Sequence, residues 1–257
     1  MAKQISTPIH PACSHLYRYQ SPAHLDRLKT IIIESELYLP SVRQLNDPTD
    51  CRPKLAQLTV EEMEGFLLSG YVLSHAQESV DELAKQTAVI RFNIEKHGLD
   101  WCMREAARLL NVQMETIRVY SLTKRFDNLN LWAKYAADHT GYCLEFVNDG
   151  PLFGNSIEVI YGEYDAFHLL DREQRTPRFL IHKRPEWSNE EEVRILRERG
   201  SKPTVKIDPY WLTRVILGKN MSNDDEKQIR EWAKQRTPSL SVVRAHFDEF
   251  HQELRLK

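Results

Sequence analysis

Residues 119–146 read VYSLTKRFDNLNLWAKYAADHTGYCLEF, and this stretch predicts a short buried strand, a helix and then a second strand. Within it, Trp132, Tyr135 and His139 are spaced by three and four residues, so they share one face of a helix that Gly141 ends. Trp, Tyr and His side chains on one face need hydrogen-bond partners or a ligand. We therefore expect this helix to form the wall of a functional cleft.

The flanking segments predict an α+β fold, with a small mixed, largely antiparallel sheet and flanking helices. Three helices are predicted between residues 59 and 114, where Thr59 and Glu62 form a capping box. The predicted strands are short and do not alternate strictly with helices, which argues against a doubly wound parallel sheet. They lie near residues 16–19, 37–39, 157–164, 193–196, 205–207, 215–218 and 241–247.

The order of these elements predicts one domain. Residues 1–15 are polar and contain proline, so we expect a flexible N-terminal arm. Residues 16–257 then form a single α+β domain, in which residues 59–114 are a helical insertion or subdomain.

Composition narrows the functional classes. The chain has 35 basic and 37 acidic residues and a formal net charge of −2, so no overall basic field attracts nucleic acid. The 4 cysteines are scattered without a C-x-x-C pair, which indicates a reducing compartment and no structural metal or disulfide framework. Because the chain shows neither a signal-peptide pattern nor a long apolar run, we expect a cytoplasmic protein that binds no membrane.

The charged residues most indicative of a site are Glu190, Glu192 and Arg194. If this segment is extended, their side chains point to the same side of the strand. Two neighbouring carboxylates repel, and proteins usually keep such a pair for salt bridges, metal binding or acid–base chemistry. The nearby Trp187 is expected to form one wall of a ligand pocket. The alternative is a solvated strand end at which Arg194 and Lys183 neutralise the acids.

Two further candidates have a structural and a functional interpretation. Asn46 and Asp47, in the sequence LNDP, follow a predicted strand and form either a structural turn or part of a cleft at the strand end. His139 is either a histidine that interacts with the dipole at the end of its helix or a residue that positions a ligand.

Four segments in order resemble the prokaryotic uncharacterised family DUF two-nine-seven-one. They are LYRY…LYLPSVRQLNDPTD at 16–50, the stretch 119–146, the W-x-x-E-x-E-x-R run from Trp187 to Arg194, and TRVILGKNMS at 213–222. The resemblance covers most of residues 16–250 apart from 59–114. It implies a fold and an association with prokaryotic defence or mobile elements. One departure is Pro40, where family members often have Ser, so Ser41 would have to supply that hydroxyl.

The order of a basic residue on the first strand, aromatic residues and a late E-x-E is similar to that of ADP-ribosyltransferases that use NAD. This similarity implies that Glu192 and Glu190 are the catalytic carboxylates. It also implies a ligand-binding set for NAD that comprises Arg18, Tyr38, Asn46, Asp47, Trp132, Tyr135, His139, Trp187 and Arg194.

Two other functional classes stay open from the sequence. Asp47, Glu190, Glu192 and Lys183 would suit a metal-dependent nuclease or other hydrolase. Alternatively, the Trp132, Tyr135 and His139 face together with Trp187 would bind a small molecule or a partner peptide without catalysis.

Overall fold

The computed structural model describes residues 9–75, 77–163, 166–170, 178–198 and 200–256. Residues 1–8 of the expected arm and Tyr164 of a predicted strand therefore lie outside the described residues. The described strands are β1 (His15–Gln20), β2 (Glu36–Tyr38), β3 (Arg118–Thr123), β4 (Tyr142–Val147), β5 (Ile157–Glu158), β6 (Ile160–Tyr161), β7 (His182–Lys183), β8 (Glu192–Arg197), β9 (Thr204–Lys206), β10 (Leu212–Leu217), β11 (Ser241–Asp248) and β12 (Glu253–Leu256). The described α-helices are α1 (Leu25–Glu34), α2 (Val60–Ser74), α3 (Val80–His97), α4 (Leu99–Met114), α5 (Leu129–Tyr135), α6 (Gly150–Phe153) and α7 (Asn223–Gln235).

A mixed sheet of eight strands organises the protein, in the order β12-β11-β10-β4-β1-β3-β8-β5. Among the described strands of this sheet, β10 and β11 pair in parallel and the other neighbours are antiparallel. The α+β class is thus confirmed, although the sheet is larger than the small one predicted. The predicted sheet was too small partly because strand β12 was not predicted. This strand is only four residues long, which is too short to show a clear alternation of apolar and polar residues.

The first helix shows how the sequence builds one side of this sheet. Ser21 accepts a hydrogen bond from the backbone of Ala23, and Pro22 supports the tight turn that leads into α1. One face of α1 then buries three aliphatic side chains, each worth about 1.5–3 kcal/mol of hydrophobic stabilisation. These side chains are Leu28, Ile31 and Ile32.

Apolar clusters cover both faces of the sheet. On one face, α1 and α7 pack over a large cluster that includes Leu16 and Val215. On the opposite face, α5 contributes Leu131 and Trp132 to a second cluster that includes Tyr19. Neighbouring strand residues therefore project into different cores, as the alternation along a strand requires.

The helices α2, α3 and α4 occupy residues 60–114, as the sequence predicts. Both bonds of the predicted capping box are present, because Thr59 and Glu62 exchange backbone-to-side-chain hydrogen bonds. The helices pack around their own cluster, which includes Met63, Ile90 and Ile94. Among the described helices, none is long and apolar enough to cross a membrane.

Helix α5 is shorter than predicted. It ends at Tyr135, and Ala137, Asp138 and His139 follow with positive φ angles of 46°, 51° and 64°. Trp132, Tyr135 and His139 therefore do not share one helical face. Such a run of left-handed residues is uncommon outside glycine, and hydrophobic spacing does not reveal it.

The described end of the N-terminal arm makes defined contacts. The Ile9 carbonyl accepts a hydrogen bond from the backbone of Glu158 at 2.8 Å. His10 Nδ1 lies 2.8 Å from the Ser156 carbonyl oxygen. These contacts place residues 9 and 10 against the strand β5 segment.

Candidate functional site

A cleft opens where strands β1 and β3 separate. Strand β1 pairs with β4 along its whole length, but its only ladder pair with β3 joins Tyr17 to Thr123. Beyond that pair, the Arg18 guanidinium donates a hydrogen bond to the Ser121 carbonyl. The cleft has a volume of ≈ 420 Å³, which falls within the range of about 300–1,000 Å³ typical of small-molecule sites.

The cleft reaches both faces of the sheet. Arg18 projects to the face of the α1 core, where its guanidinium carbon lies 4.5 Å from the centre of the Tyr120 ring. Thr123 pairs with Glu192 across the β3–β8 ladder, and residues directly opposite in an antiparallel pair project to the same face. Because Arg18, Thr123 and Glu192 all line the cleft, a ligand there would contact side chains from both faces.

Six of the predicted site residues line this cleft. All six come from different elements or loops, and they meet because β1, β2, α5 and β8 converge at the separated strands. The six residues are Arg18, Tyr38, Asn46, Tyr135, Glu190 and Glu192.

Lys183 organises the acidic side of the cleft. Its Nζ atom lies 2.7 Å from Oε2 of Glu190 and 2.8 Å from Oε2 of Glu192, and it is 3.9 Å from Oδ2 of Asp50. Burial alone would lower the pKa of Lys183, but the charges of Glu192 and Glu190 outweigh it and raise the pKa above its usual range. Lys183 is thus a buried cation that keeps neighbouring carboxylates together.

Arg194 is fully buried behind this cluster and does not line the cleft. Its guanidinium donates to both oxygens of Glu192, at 2.8 and 3.0 Å, and to Oδ2 of Asp50 at 2.6 Å. Burial would raise the pKa of Glu192, but Arg194 and then Lys183 lower it to about 2. The predicted role of Arg194 in ligand binding is therefore corrected, because its side chain is occupied in holding carboxylates.

Glu190 differs from Glu192 in its partners. Its Oε1 accepts hydrogen bonds from the Tyr135 hydroxyl at 2.8 Å and from Lys134 Nζ at 3.1 Å. Asn46 Nδ2 in turn donates to the Tyr135 hydroxyl at 3.3 Å. Glu190 is the last residue of a 3-10 helix, Pro185–Glu190, so its approach to Glu192 comes from a turn and not from one extended strand as predicted.

The opposite side of the cleft is basic and aromatic. The Arg27 guanidinium carbon lies 4.6 Å from the centre of the Tyr38 ring, a cation–π contact. The Tyr38 hydroxyl donates to Oε1 of Gln44 at 2.9 Å. Burial, and then the charges of Arg27 and Arg18, lower the pKa of His24, which also lines the cleft. The two arginines thus form a region of positive charge.

Trp132 and His139 lie outside the cleft, which corrects their predicted contact with a ligand. The Trp132 side chain is fully buried, and its Nε1 donates to the Phe126 carbonyl at 2.7 Å. His139 stacks on Trp132, with ring centres 5.6 Å apart. A mixed aromatic and polar helix can turn its aromatic side chain into the core once a backbone carbonyl satisfies the indole.

Asp47 and Trp187 support the site from behind and do not line the cleft. Oδ1 of Asp47 accepts from the backbone and hydroxyl of Thr49 at 2.8 and 2.7 Å, which matches the structural-turn interpretation. The Trp187 ring lies under Lys134 Nζ, 3.5 Å from the ring centre, and 5.0 Å from Lys183 Nζ. Trp187 therefore contacts the lysines that bind Glu190. It does not form the wall of the ligand pocket that the sequence predicts.

Sequence reasoning missed Asp50, Thr123 and Arg27 as residues of the cleft. Asp50 lies three residues after Asp47 in the segment LNDPTD. The segment thus contributes an acidic residue to the cleft, but the prediction named Asp47 and not Asp50. Nothing local marks Thr123, because its position depends on the distant partners Tyr17 and Glu192.

Comparisons with models of protein families, with curated proteins and with solved structures found no match to this chain. The family resemblance and the activity thus stay predictions, and the geometry of the cleft is the basis for a functional proposal.

Proposed function

We propose that this protein is an NAD-using enzyme similar to ADP-ribosyltransferases, with Glu190 as the carboxylate at the reacting centre. The observation that supports it most is the position of Glu190. Its carboxylate lines the cleft and contacts Tyr135 and Lys183, while Arg18 and Arg27 line the same cleft. One cleft thus offers an anionic group for a developing positive charge and cationic groups for a phosphate.

The residues present fit the chemistry of NAD. Its pyrophosphate carries negative charge that Arg18 and Arg27 can bind, since guanidinium groups match phosphate geometry. Its nicotinamide ring is flat, and Tyr38 and Tyr135 supply aromatic surfaces within the cleft. Neutral Asn46 and Gln44 add amide groups that can bind ring substituents or hydroxyls.

The reaction would proceed at the bond between the ribosyl carbon and the nicotinamide nitrogen. When that bond breaks, its electron pair goes to the nicotinamide nitrogen and positive charge develops on the ribosyl side. The Glu190 carboxylate would stabilise this charge. The acceptor, water in the simplest case, then donates an electron pair to the ribosyl carbon and loses a proton to the solvent.

Glu192 has a different role in this proposal from the one predicted. Both of its oxygens already accept hydrogen bonds from Arg194, and Lys183 contacts one of them. We therefore assign Glu192 to positioning Lys183, which in turn contacts Glu190. Glu190 also accepts hydrogen bonds on both oxygens, from Tyr135, Lys134 and Lys183. Because Lys134 is partly exposed whereas Arg194 is fully buried, a ligand can displace a partner of Glu190 more readily than the partner of Glu192.

The test is release of nicotinamide from NAD by the purified protein. We expect release by the natural chain, and a loss of 100-fold or more in Glu190→Gln, on the order of the losses seen when a charge-stabilising group is removed. The control is Glu186→Gln, because the Glu186 side chain is 55% exposed and lies outside the cleft. The proposal is overturned if the natural chain neither binds NAD in calorimetry nor releases nicotinamide.

The other two functional classes have less support. Among the described residues, no group of three or more His, Cys, Asp or Glu side chains has a geometry that could hold a metal ion. Of the carboxylates in the nuclease hypothesis, Glu190 is bound to Lys183, Glu192 is bound to Lys183 and Arg194, and Asp47 accepts hydrogen bonds from Thr49. A non-catalytic binding module is the conclusion if NAD binds with unchanged affinity in Glu190→Gln and is never consumed.

A further inference from the structure

Two buried polar atoms of residues that line the cleft have no hydrogen-bond partner among the described residues. They are Oδ1 of Asp50 and Oγ1 of Thr123. Both residues line the cleft, and they are only 8% and 3% exposed. Buried side-chain oxygens are normally paired in folded proteins, so two unpaired ones at the wall of one cleft require a physical explanation.

The unpaired oxygen of Asp50 has a fixed direction. The other oxygen, Oδ2, accepts from the Arg194 guanidinium at 2.6 Å. Arg194 is itself fully buried and held by Glu192 and the Leu180 carbonyl. Because this scaffold prevents the carboxylate from turning, Oδ1 can gain a partner only from a group that enters beside it.

Thr123 lies close to the same charge cluster. It pairs with Glu192 in the β3–β8 ladder, and Glu192 shares the Arg194 guanidinium with Asp50. Opposite residues of an antiparallel pair have Cβ atoms about 4.5–5.5 Å apart. Asp50 and Thr123 are thus both neighbours of Glu192.

The chemistry of the two atoms identifies the kind of ligand group. An ionised carboxylate only accepts hydrogen bonds, whereas a threonine hydroxyl both donates and accepts. Lys134, Lys183 and Arg194 already balance the three carboxylates Asp50, Glu190 and Glu192, so a neutral donor suits Oδ1 better than a further cation. A phosphate is disfavoured here, because Asp50, Glu190 and Glu192 are three carboxylates at this end of the cleft.

We propose that Asp50 Oδ1 and Thr123 Oγ1 form a subsite that binds the vicinal hydroxyl groups of a sugar, such as the ribose of a nucleotide. A sugar diol supplies both a donor for the carboxylate and a donor or acceptor for the threonine. The inference rests on the proposed function for its choice of a ribosyl probe.

The experiment measures the dissociation constant of ADP-ribose by calorimetry for the natural chain and for Thr123→Val. Valine has nearly the same shape as threonine, and Oγ1 makes no hydrogen bond to any described residue, so the variant should fold with unchanged or higher thermal stability. We expect ADP-ribose to bind on the order of tenfold more weakly to it, since it loses a hydrogen bond in a buried site. Thr30→Val, on α1 and outside the cleft, is the matched control and should bind as the natural chain does.

A second ligand makes the test specific. The counterpart of ADP-ribose that lacks the two vicinal hydroxyls of its terminal ribose should bind the natural chain weakly, and Thr123→Val should then cause little further loss. Equal losses for both ligands would show that Thr123 does not contact those hydroxyls and would overturn the subsite, as would the absence of ADP-ribose binding to the natural chain.

Asp50→Asn tests the role of Asp50 Oδ1. The change replaces the carboxylate by an amide, whose oxygen can still accept a hydrogen bond from Arg194. We expect weaker ADP-ribose binding in a chain whose circular dichroism matches the natural one. An unchanged affinity in this folded variant would remove Asp50 from the subsite. If ADP-ribose binds as expected but NAD releases no nicotinamide, the subsite stands and the proposed function fails.

Discussion

The hydroxyl of Tyr135 donates to Glu190 at 2.8 Å, and this bond joins the end of helix α5 to the turn before strand β8. Burial, followed by the charge of Glu190, raises the pKa of Tyr135, so the phenol keeps its proton and remains a donor at neutral pH. One oxygen of Glu190 is thereby oriented by this neutral hydroxyl together with Lys134, while its other oxygen contacts the cation Lys183. The carboxylate is held in place from two sides before any ligand binds.

This relationship predicts the effect of Tyr135→Phe. The change removes one hydrogen bond to Glu190, which costs about 1 kcal/mol of unfolding free energy, and leaves the ring in place. Because Glu190 loses its orientation, we expect nicotinamide release to fall by about tenfold or more while NAD affinity changes less. Steady-state kinetics, with the apparent KM separated from kcat, measure this. An equal loss in Lys219→Met, which lies outside the cleft, would assign the effect to general destabilisation.

The pH dependence of stability follows from Glu192. Its pKa in the folded protein is about 2, compared with 4.5 as the ordinary value. Since the folded pKa is depressed, the stabilisation is complete above pH 4.5 and is lost as the pH falls towards 2. The shift corresponds to on the order of 3 kcal/mol.

Urea unfolding at several pH values tests this assignment. Glu192→Gln should be destabilised by about 3–5 kcal/mol at neutral pH, because Arg194 and Lys183 lose a buried partner. Its stability should also change less between pH 4.5 and 2 than that of the natural chain. Glu186→Gln is the control at an exposed glutamate. If Glu192→Gln still loses unfolding free energy steeply at acid pH, a group other than Glu192 causes the pH dependence.

His24 reports on the charge of the basic side of the cleft. Burial and the charges of Arg27 and Arg18 hold its pKa below the ordinary value of 6.5. A bound phosphate would offset those two cations, so the pKa of His24 should rise when pyrophosphate or ADP-ribose is added. Nuclear magnetic resonance titration of the imidazole signals measures the change, with assignment by His24→Asn. The His139 signal is the control, since that ring lies outside the cleft, and an unmoved His24 signal at saturating ligand would contradict binding near the arginines.

Two glycines give a contrasting pair for stability. A Cβ atom on Gly218 would overlap the carbonyl oxygen of His139, which is part of the backbone and cannot move aside without shifting the chain. Gly218→Ala should therefore cost more than about 2 kcal/mol of unfolding free energy. A Cβ atom on Gly65 in helix α2 would meet no described atom within 4 Å, so Gly65→Ala should stabilise by about 0.5–1 kcal/mol. Chemical denaturation of both variants checks the pair, and a stable Gly218→Ala protein would show that the left-handed turn can shift.

The elements that the sequence predicted well are those that local chemistry determines. The Thr59 capping box forms as expected, because its partner Glu62 lies only three residues away. Strand β1 is visible from its alternation, since Leu16 and Tyr19 enter different cores. Such features depend on a few neighbouring residues and are read directly from the chain.

The candidate site was harder to predict because its contacts are distant in sequence. Arg18 contacts Ser121, and Lys183 reaches its carboxylates from a strand of only two residues. Trp132 was placed in the cleft because a polar aromatic face looks like a ligand wall, whereas Phe126 satisfies its indole inside the core. Spacing along a helix identifies neighbours on that helix, but it does not say which neighbour meets solvent.

The bond from Arg18 to the Ser121 carbonyl has one more consequence. Here a side-chain hydrogen bond takes the place of a backbone hydrogen bond between β1 and β3. The contact between these two strands therefore depends on a side chain that can rotate. The same guanidinium is the group we assign to a phosphate. Arg18 therefore cannot fully bind an anion and hold β1 to β3 at the same time. A ligand that breaks the bond from Arg18 to Ser121 must itself form contacts with both strands.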